Sequence, residues 1–202
     1  MKKHLLSVLA VAGLAGVSGN ALAYDAGDVI VRAGYASVQP DANPHGVLDA
    51  LDADVDDGEA LGITAAYMLN DSVALELLVA TPFNHDITAG GNKIGDADQL
   101  PPTLSLQWLP NLDLGGLQPY VGVGINYTTF FSEDSSLGKL KLDDSWGLAW
   151  QAGIDYQFNQ HWLLNAAVWN IDIETDVKLD GAKIGSVEID PWVYMVGVGY
   201  RF

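Results

Sequence analysis

The sequence predicts an all-β fold, an eight-stranded antiparallel transmembrane β-barrel. Three observations predict it: a two-faced C-terminal strand, an export signal with no later spanning helix, and connections that alternate long and short. The chain closes on Trp192-Val193-Tyr194-Met195-Val196-Gly197-Val198-Gly199-Tyr200-Arg201-Phe202. One row of this segment is Trp192, Tyr194, Val196, Val198, Tyr200 and Phe202; the other is Val193, Met195, Gly197, Gly199 and Arg201. Period two with two such different rows means a strand whose faces meet two different solvents. Aromatic residues at both ends of the apolar row match a lipid-facing strand with a girdle at each interface. A terminal Phe on such a strand is the usual address read by the barrel-assembly machinery, the partner expected for this segment.

The N-terminus carries the second observation. Lys2, Lys3 and His4 form a basic region, Leu5 to Val17 an apolar one, and Ala21-Leu22-Ala23 an A-x-A cleavage site. That is a secretory signal peptide over 1–23, with the barrel over 24–202. Removing 23 residues from 202 leaves 179, enough for one domain. No later segment offers 18 uninterrupted apolar residues, although 49% of the chain is hydrophobic. Only helices and closed barrels satisfy their backbone in lipid, so a barrel is what remains. With no Cys in the chain, barrel closure and lipid rather than disulfides must hold the fold.

Eight period-two segments follow, near 28–39, 60–69, 73–83, 100–109, 119–131, 145–158, 162–175 and 187–202. The connections 40–59, 84–99, 132–144 and 176–186 are long, while 70–72, 110–118 and 159–161 are shorter. Long loops outside and tight turns in the periplasm are the arrangement of an outer-membrane barrel. Charge tests the parity. The rows taken as outward include Leu75/Leu77/Val79, Val121/Val123/Ile125/Tyr127 and Trp162/Leu164/Ala166/Val168, whereas Arg32, Glu76, Asp155 and Arg201 fall on the opposite rows. A charge facing lipid at mid-height costs about 2–4 kcal/mol, so this sorting is what a membrane barrel requires.

Strand direction then gives the lumen a vertical gradient. Arg32, Glu76, Asp155 and Arg201 lie in the periplasmic third and are expected to pair as a polar plug. Higher up, Leu78, Pro82, Trp169, Val193 and Met195 are expected to line an apolar chamber. Pro82, Pro101, Pro102 and Pro191 lie where the third, fourth and eighth strands pass the upper half. Proline cannot donate to a ladder, which makes these four candidates for a lateral opening in the wall.

Several functions find no support. The net charge of −17, or −19 once Lys2 and Lys3 are removed, repels nucleic acid. The acidic run Asp49–Glu59 resembles a calcium loop, but from Asp52 its Gly58 falls at position 7 and Ile63 stands at position 12, so no metal site is assigned. His45, His85 and His161 accompany no recognisable nucleophile, so neither an enzyme nor a cofactor is expected. Gly122, Gly124, Gly197 and Gly199 precede no helix and make room in a narrow barrel.

The segments Arg32-Ala33-Gly34, Glu76-Leu77-Leu78-Val79-Ala80-Thr81-Pro82-Phe83, Leu100-Pro101-Pro102-Thr103-Leu104, Leu117 to Tyr127, Asn165-Ala166-Ala167-Val168-Trp169, Asp190-Pro191-Trp192 and Gly199-Tyr200-Arg201-Phe202 also carry a resemblance. In this order they resemble the OmpW/AlkL family of outer-membrane barrels, which includes alkane-uptake proteins. The resemblance implies a barrel protruding beyond the membrane, with a hydrophobic channel for small apolar solutes that is blocked toward the periplasm and released sideways. Outer-membrane lipids and lipopolysaccharide are the expected surroundings. The alternative is a closed structural or adhesion barrel whose acidic loops bind cations, lipopolysaccharide or a host surface.

Overall fold

The computed structural model describes residues 23–50, 53–89, 92–135 and 138–202. The expected signal peptide, apart from Ala23, lies outside the described residues. Eight strands form the barrel: β1 (Val29–Gln39), β4 (Gly58–Asn70), β5 (Val73–Ala80), β8 (Thr103–Trp108), β9 (Leu117–Ser135), β11 (Ser145–Gln157), β12 (Trp162–Ile171) and β15 (Trp192–Arg201). Each pairs antiparallel with its neighbours, and β15 returns to β1 with Ile30 opposite Arg201 and Gln39 opposite Trp192. The first and last strands thereby close the sheet. Closure removes both edges, the condition for a sheet to sit in hydrocarbon.

Alternation along each strand decides which side chains meet lipid. The outward rows expose Leu75 and Leu77, Leu104, Leu106 and Trp108, Val121, Val123 and Ile125, Trp162 and Leu164, and Trp192, Tyr194, Val196 and Val198. Their neighbours point inward and are buried, among them Arg32, Thr64, Glu76, Ser105, Gln107, Asn126, Gln151, Asp155 and Asn165. Aromatic clusters mark the two rims. Tyr200 packs against Trp162 and Phe202 at the periplasmic end, with centroids 5.0 and 4.7 Å away, and Tyr127 against Trp146 at 4.8 Å at the other. The tight turns use side-chain caps: Asn70 accepts from the Ser72 amide and Asn159 from those of His161 and Trp162.

The long connections are where the structure departs from the expectation of loops. They contain β2 (Asn43–Gly46), a one-turn helix α1 (Val47–Ala50), β3 (Ala53–Val55), β6 (Phe83–Ala89), β7 (Asn92–Leu100), β10 (Leu140–Leu142), β13 (Glu174–Leu179) and β14 (Ala182–Glu188). β9 runs on above the membrane and pairs with β7, which pairs with β6 and then β3; opposite stands a sheet in the order β10-β13-β14-β2. The physical reason lies in short period-two rows such as Leu140/Leu142 and Thr175/Val177/Leu179, which need an apolar partner once they leave lipid. Lysines on this cap form ion pairs, Lys93 with Asp86 and Asp96, Lys141 with Glu133, Lys178 with Asp143 and Lys183 with Asp176. Exposed pairs of this kind each contribute about 0–1 kcal/mol, so the cap is held by its apolar interior.

Val123 sits at mid-height on the lipid face. Replacing it with Arg is expected to lower the unfolding free energy by roughly 2–4 kcal/mol in a urea titration of the barrel in lipid. A cost near zero would mean that this row does not face hydrocarbon.

Candidate functional site

The lumen is built in tiers. The lowest holds a buried charge cluster. Arg32 from β1 donates through Nε and Nη2 to the two oxygens of Asp155 at 3.0 and 2.6 Å, and through Nη1 to Glu76 at 3.1 Å. Asp155 also accepts from Asn165 Nδ2 at 2.8 Å and from the Tyr24 hydroxyl at 2.7 Å. The Tyr120 hydroxyl accepts from the same Asn165 amide, and the Arg32 guanidinium lies 5.1 Å from the Tyr120 ring centroid. Room for that ring comes from Gly153, where a Cβ would collide with it. A forked Arg–carboxylate pair with both carboxylate oxygens further bonded, as at Asp155, is the form in which buried charge is tolerable.

Arg201 stands apart from this cluster, although parity grouped it there. It lies at the periplasmic rim, 15% exposed, and pairs with Asp25 and Asp28 at 2.9 and 2.7 Å. Asp25 lies in the N-terminal segment, which a strand-by-strand reading leaves out, and Asp28 stands at the very start of the first expected strand. Tyr24 was missed for the same reason.

The middle tier is asymmetric. The inward rows of β8, β9 and β11 carry Thr103, Ser105 and Gln107, then Asn126 and Thr128, then Gln151. Gln107 donates to Gln151 at 3.2 Å, and Asn126 donates to Thr103 at 3.0 Å. The facing rows are apolar, with Ala36 and Val38 on β1, Ala167, Trp169 and Ile171 on β12, and Val193 and Met195 on β15. Leu78, Trp169, Val193 and Met195 therefore point into the lumen, where they are buried in the apolar cluster. Pro82 is exposed instead of lumenal.

The chamber lies higher. A cavity of about 180 Å³ sits between the two extramembrane sheets, lined by Leu48, Ile87, Phe130, Leu142, Val177 and Ile189 among others. None of the five expected channel residues lines it. Its walls come from segments whose apolar rows are too short to stand out among acidic residues. The signal was the alternation at 175–179 together with Leu140/Leu142.

The prolines divide into two places. Pairing between β5 and β8 ends at Leu78 opposite Thr103, and pairing between β6 and β7 begins at Phe83 opposite Gln99. Thr81-Pro82 on one side and Pro101-Pro102 on the other thus flank an interruption of the wall. The Pro102 carbonyl is occupied on its far side by the Tyr127 amide at 3.1 Å. Pro191 belongs elsewhere: its carbonyl accepts from the Ile171 amide, between β12 and β15 on the opposite side of the barrel. The four prolines do not form one cluster, because the eighth strand closes onto the first and seventh, four strands away from the break. Among the described residues no group of three or more His, Asp or Glu is placed to hold a metal ion, and Asp52 of the acidic run lies outside them.

Replacing Asp155 with Asn leaves Arg32 buried without its forked partner, an expected loss of roughly 3–5 kcal/mol in equilibrium unfolding. Arg201→Gln at the wetter rim is expected to cost no more than about 1 kcal/mol. Equal costs for the two would contradict the separation of cluster and rim.

Comparison with known proteins agrees with this geometry. The model of the OmpW family matches residues 25–202. Outer membrane protein W of Escherichia coli is 44% identical, with the whole of both chains covered. The crystal structure of OprG from Pseudomonas aeruginosa superposes with a TM-score of 0.78 at 40% identity, covering 91% of this chain and 99% of that one. A protein named for a dibenzothiophene metabolism operon, PahQ of Pseudomonas aeruginosa, is 29% identical over 74% of each chain. The chain is an outer-membrane barrel protein and belongs to the OmpW family.

Proposed function

We propose that this barrel admits small apolar molecules passively from outside the cell and releases them sideways into the membrane. The observation that carries the reading is the cavity between the two cap sheets, whose walls are almost wholly apolar side chains. A solute reaching it leaves water for a hydrocarbon-like surface, a favourable transfer of about 25 cal/mol per Å² of apolar area. Beneath it lie the packed Ile171, Trp169, Val193 and Met195, and beneath those the charge cluster of Arg32, Glu76 and Asp155. An apolar solute gains nothing by descending into that cluster.

The interruption flanked by Thr81-Pro82 and Pro101-Pro102 offers the way out. It lies next to Leu78 and Phe83, which belong to the buried apolar cluster, and it carries no β5–β8 ladder bonds to break. Release into lipid completes passage with no energy source and no cofactor. The name of PahQ, which places that relative among genes for handling an apolar aromatic compound, is in keeping with the reading.

Uptake of a small apolar fluorescent probe into proteoliposomes tests it. Wild type is expected to exceed empty vesicles, and Trp169→Ala is expected to alter the rate. Leu78→Arg, a charge beside the exit, and Val177→Arg, a charge in the cavity wall, are each expected to bring uptake to the level of empty vesicles. Uptake indifferent to all three would make the interior a packed core. Attention would then pass to the acidic cap as a surface for cations, lipopolysaccharide or a host.

A further inference from the structure

Residues 24–28 take no part in that route, yet they are fixed at several points. They cross the periplasmic mouth as a strap. The Gly27 amide donates to the Met68 carbonyl at 2.8 Å, and the Met68 amide donates to the Asp28 carbonyl at 2.9 Å. The Ala26 amide donates to Asp71 in the β4–β5 turn at 3.2 Å. Asp25 and Asp28 both hold Arg201 at the end of β15. The strap is thus tied to the second strand, to the turn after it and to the last strand.

Its first residue turns inward. The Tyr24 side chain is 2% exposed; its ring lies 5.6 Å from the Arg201 guanidinium and its hydroxyl reaches Asp155. With that bond Asp155 accepts four, two on each oxygen. The hydroxyl supplies the last of these bonds, while the ring fills the space beneath the cluster. Above it stands the polar side of the lumen, where Gln107, Gln151, Ser105, Thr103 and Asn126 form a column from the charge cluster toward the cap.

We propose that Tyr24 is a stopper, held in place by the 24–28 strap, that seals the periplasmic end of this polar column. The molecules held back are small and water-soluble. Neutral ones are favoured, because a charged solute would have to shed its water to pass the buried groups of Arg32, Glu76 and Asp155. The barrel then keeps two solutes apart: an apolar one that never reaches the floor, and a polar one that the floor refuses.

Liposome swelling in a small neutral polyol tests the stopper, using the full chain exported with its own leader and folding checked by the mobility of the unboiled barrel on a gel. Wild type is expected to swell no faster than empty liposomes. Tyr24→Ala is expected to swell at a rate that grows with the amount of barrel, and Tyr24→Phe, which keeps the ring, to stay near wild type. Asp25→Asn combined with Asp28→Asn loosens the strap without touching the stopper and is expected to leak as well. Folded Tyr24→Ala as tight as wild type would overturn the proposal, as would a wild type that already leaks. If Tyr24→Ala does not fold, a tight Asp25→Asn/Asp28→Asn variant overturns it alone. None of these readings depends on apolar uptake, so the two proposals fail separately.

Discussion

The structure depends on one constraint: inside a hydrocarbon layer every backbone amide and carbonyl must find a partner within the protein. The chain satisfies it by pairing its first strand with its last, Ile30 opposite Arg201 through Gln39 opposite Trp192. Strand alternation follows at once, because a residue pointing out meets lipid and the next meets the lumen. Where that constraint eases, level with the Tyr127–Trp146 rim, the sheet is free to break. It does so at Thr81-Pro82 and Pro101-Pro102, and the upper strands rearrange into the two sheets that enclose the cavity.

Eight strands leave a lumen only wide enough for side chains, so function rests on how those side chains are distributed. Charge at the floor is neutralised by geometry, with Arg32 forked onto Asp155 and bonded to Glu76. Apolar and polar residues then divide the middle tier between opposite walls. Glycine sets the tolerances: at Gly122 a Cβ would come within 2.8 Å of the Gln151 side chain, which lies across it toward Gln107. The result is a barrel whose lumen is lined by buried side chains, with an apolar cavity above it and an interruption of the strand pairing beside it.

The membrane part was legible from the sequence because lipid punishes errors of parity. Leu75, Val123 and Trp162 on one row and Glu76, Gly122 and Leu163 on the next are placed as the period-two reading places them. The cap is hard to read as strands, because its signal, the alternation at Leu140/Leu142 and Val177/Leu179, spans only two apolar residues at a time set among Asp and Lys. Trp169, Val193 and Met195 are buried inside the barrel, but whether an inward residue lines space or fills it depends on neighbours from other strands. Arg201 and Pro191 were grouped by height alone. Their partners, Asp25 and Asp28 for the one and Ile171 for the other, are set by barrel closure and by the N-terminal segment.

The most direct test of the central claim is to map where an apolar solute sits in the barrel. A photoreactive aliphatic diazirine too small to be held as a membrane lipid is equilibrated with the protein in bilayers, irradiated, and located by peptide mass spectrometry. The account predicts insertion at cavity residues such as Leu142 and Val177 and at the wall interruption near Pro82 and Pro101, with none at Tyr120 or Asn165 on the floor. Labelling confined to the outward rows, as at Val123 and Leu164, would show that solute meets this barrel only as lipid does, and would contradict it.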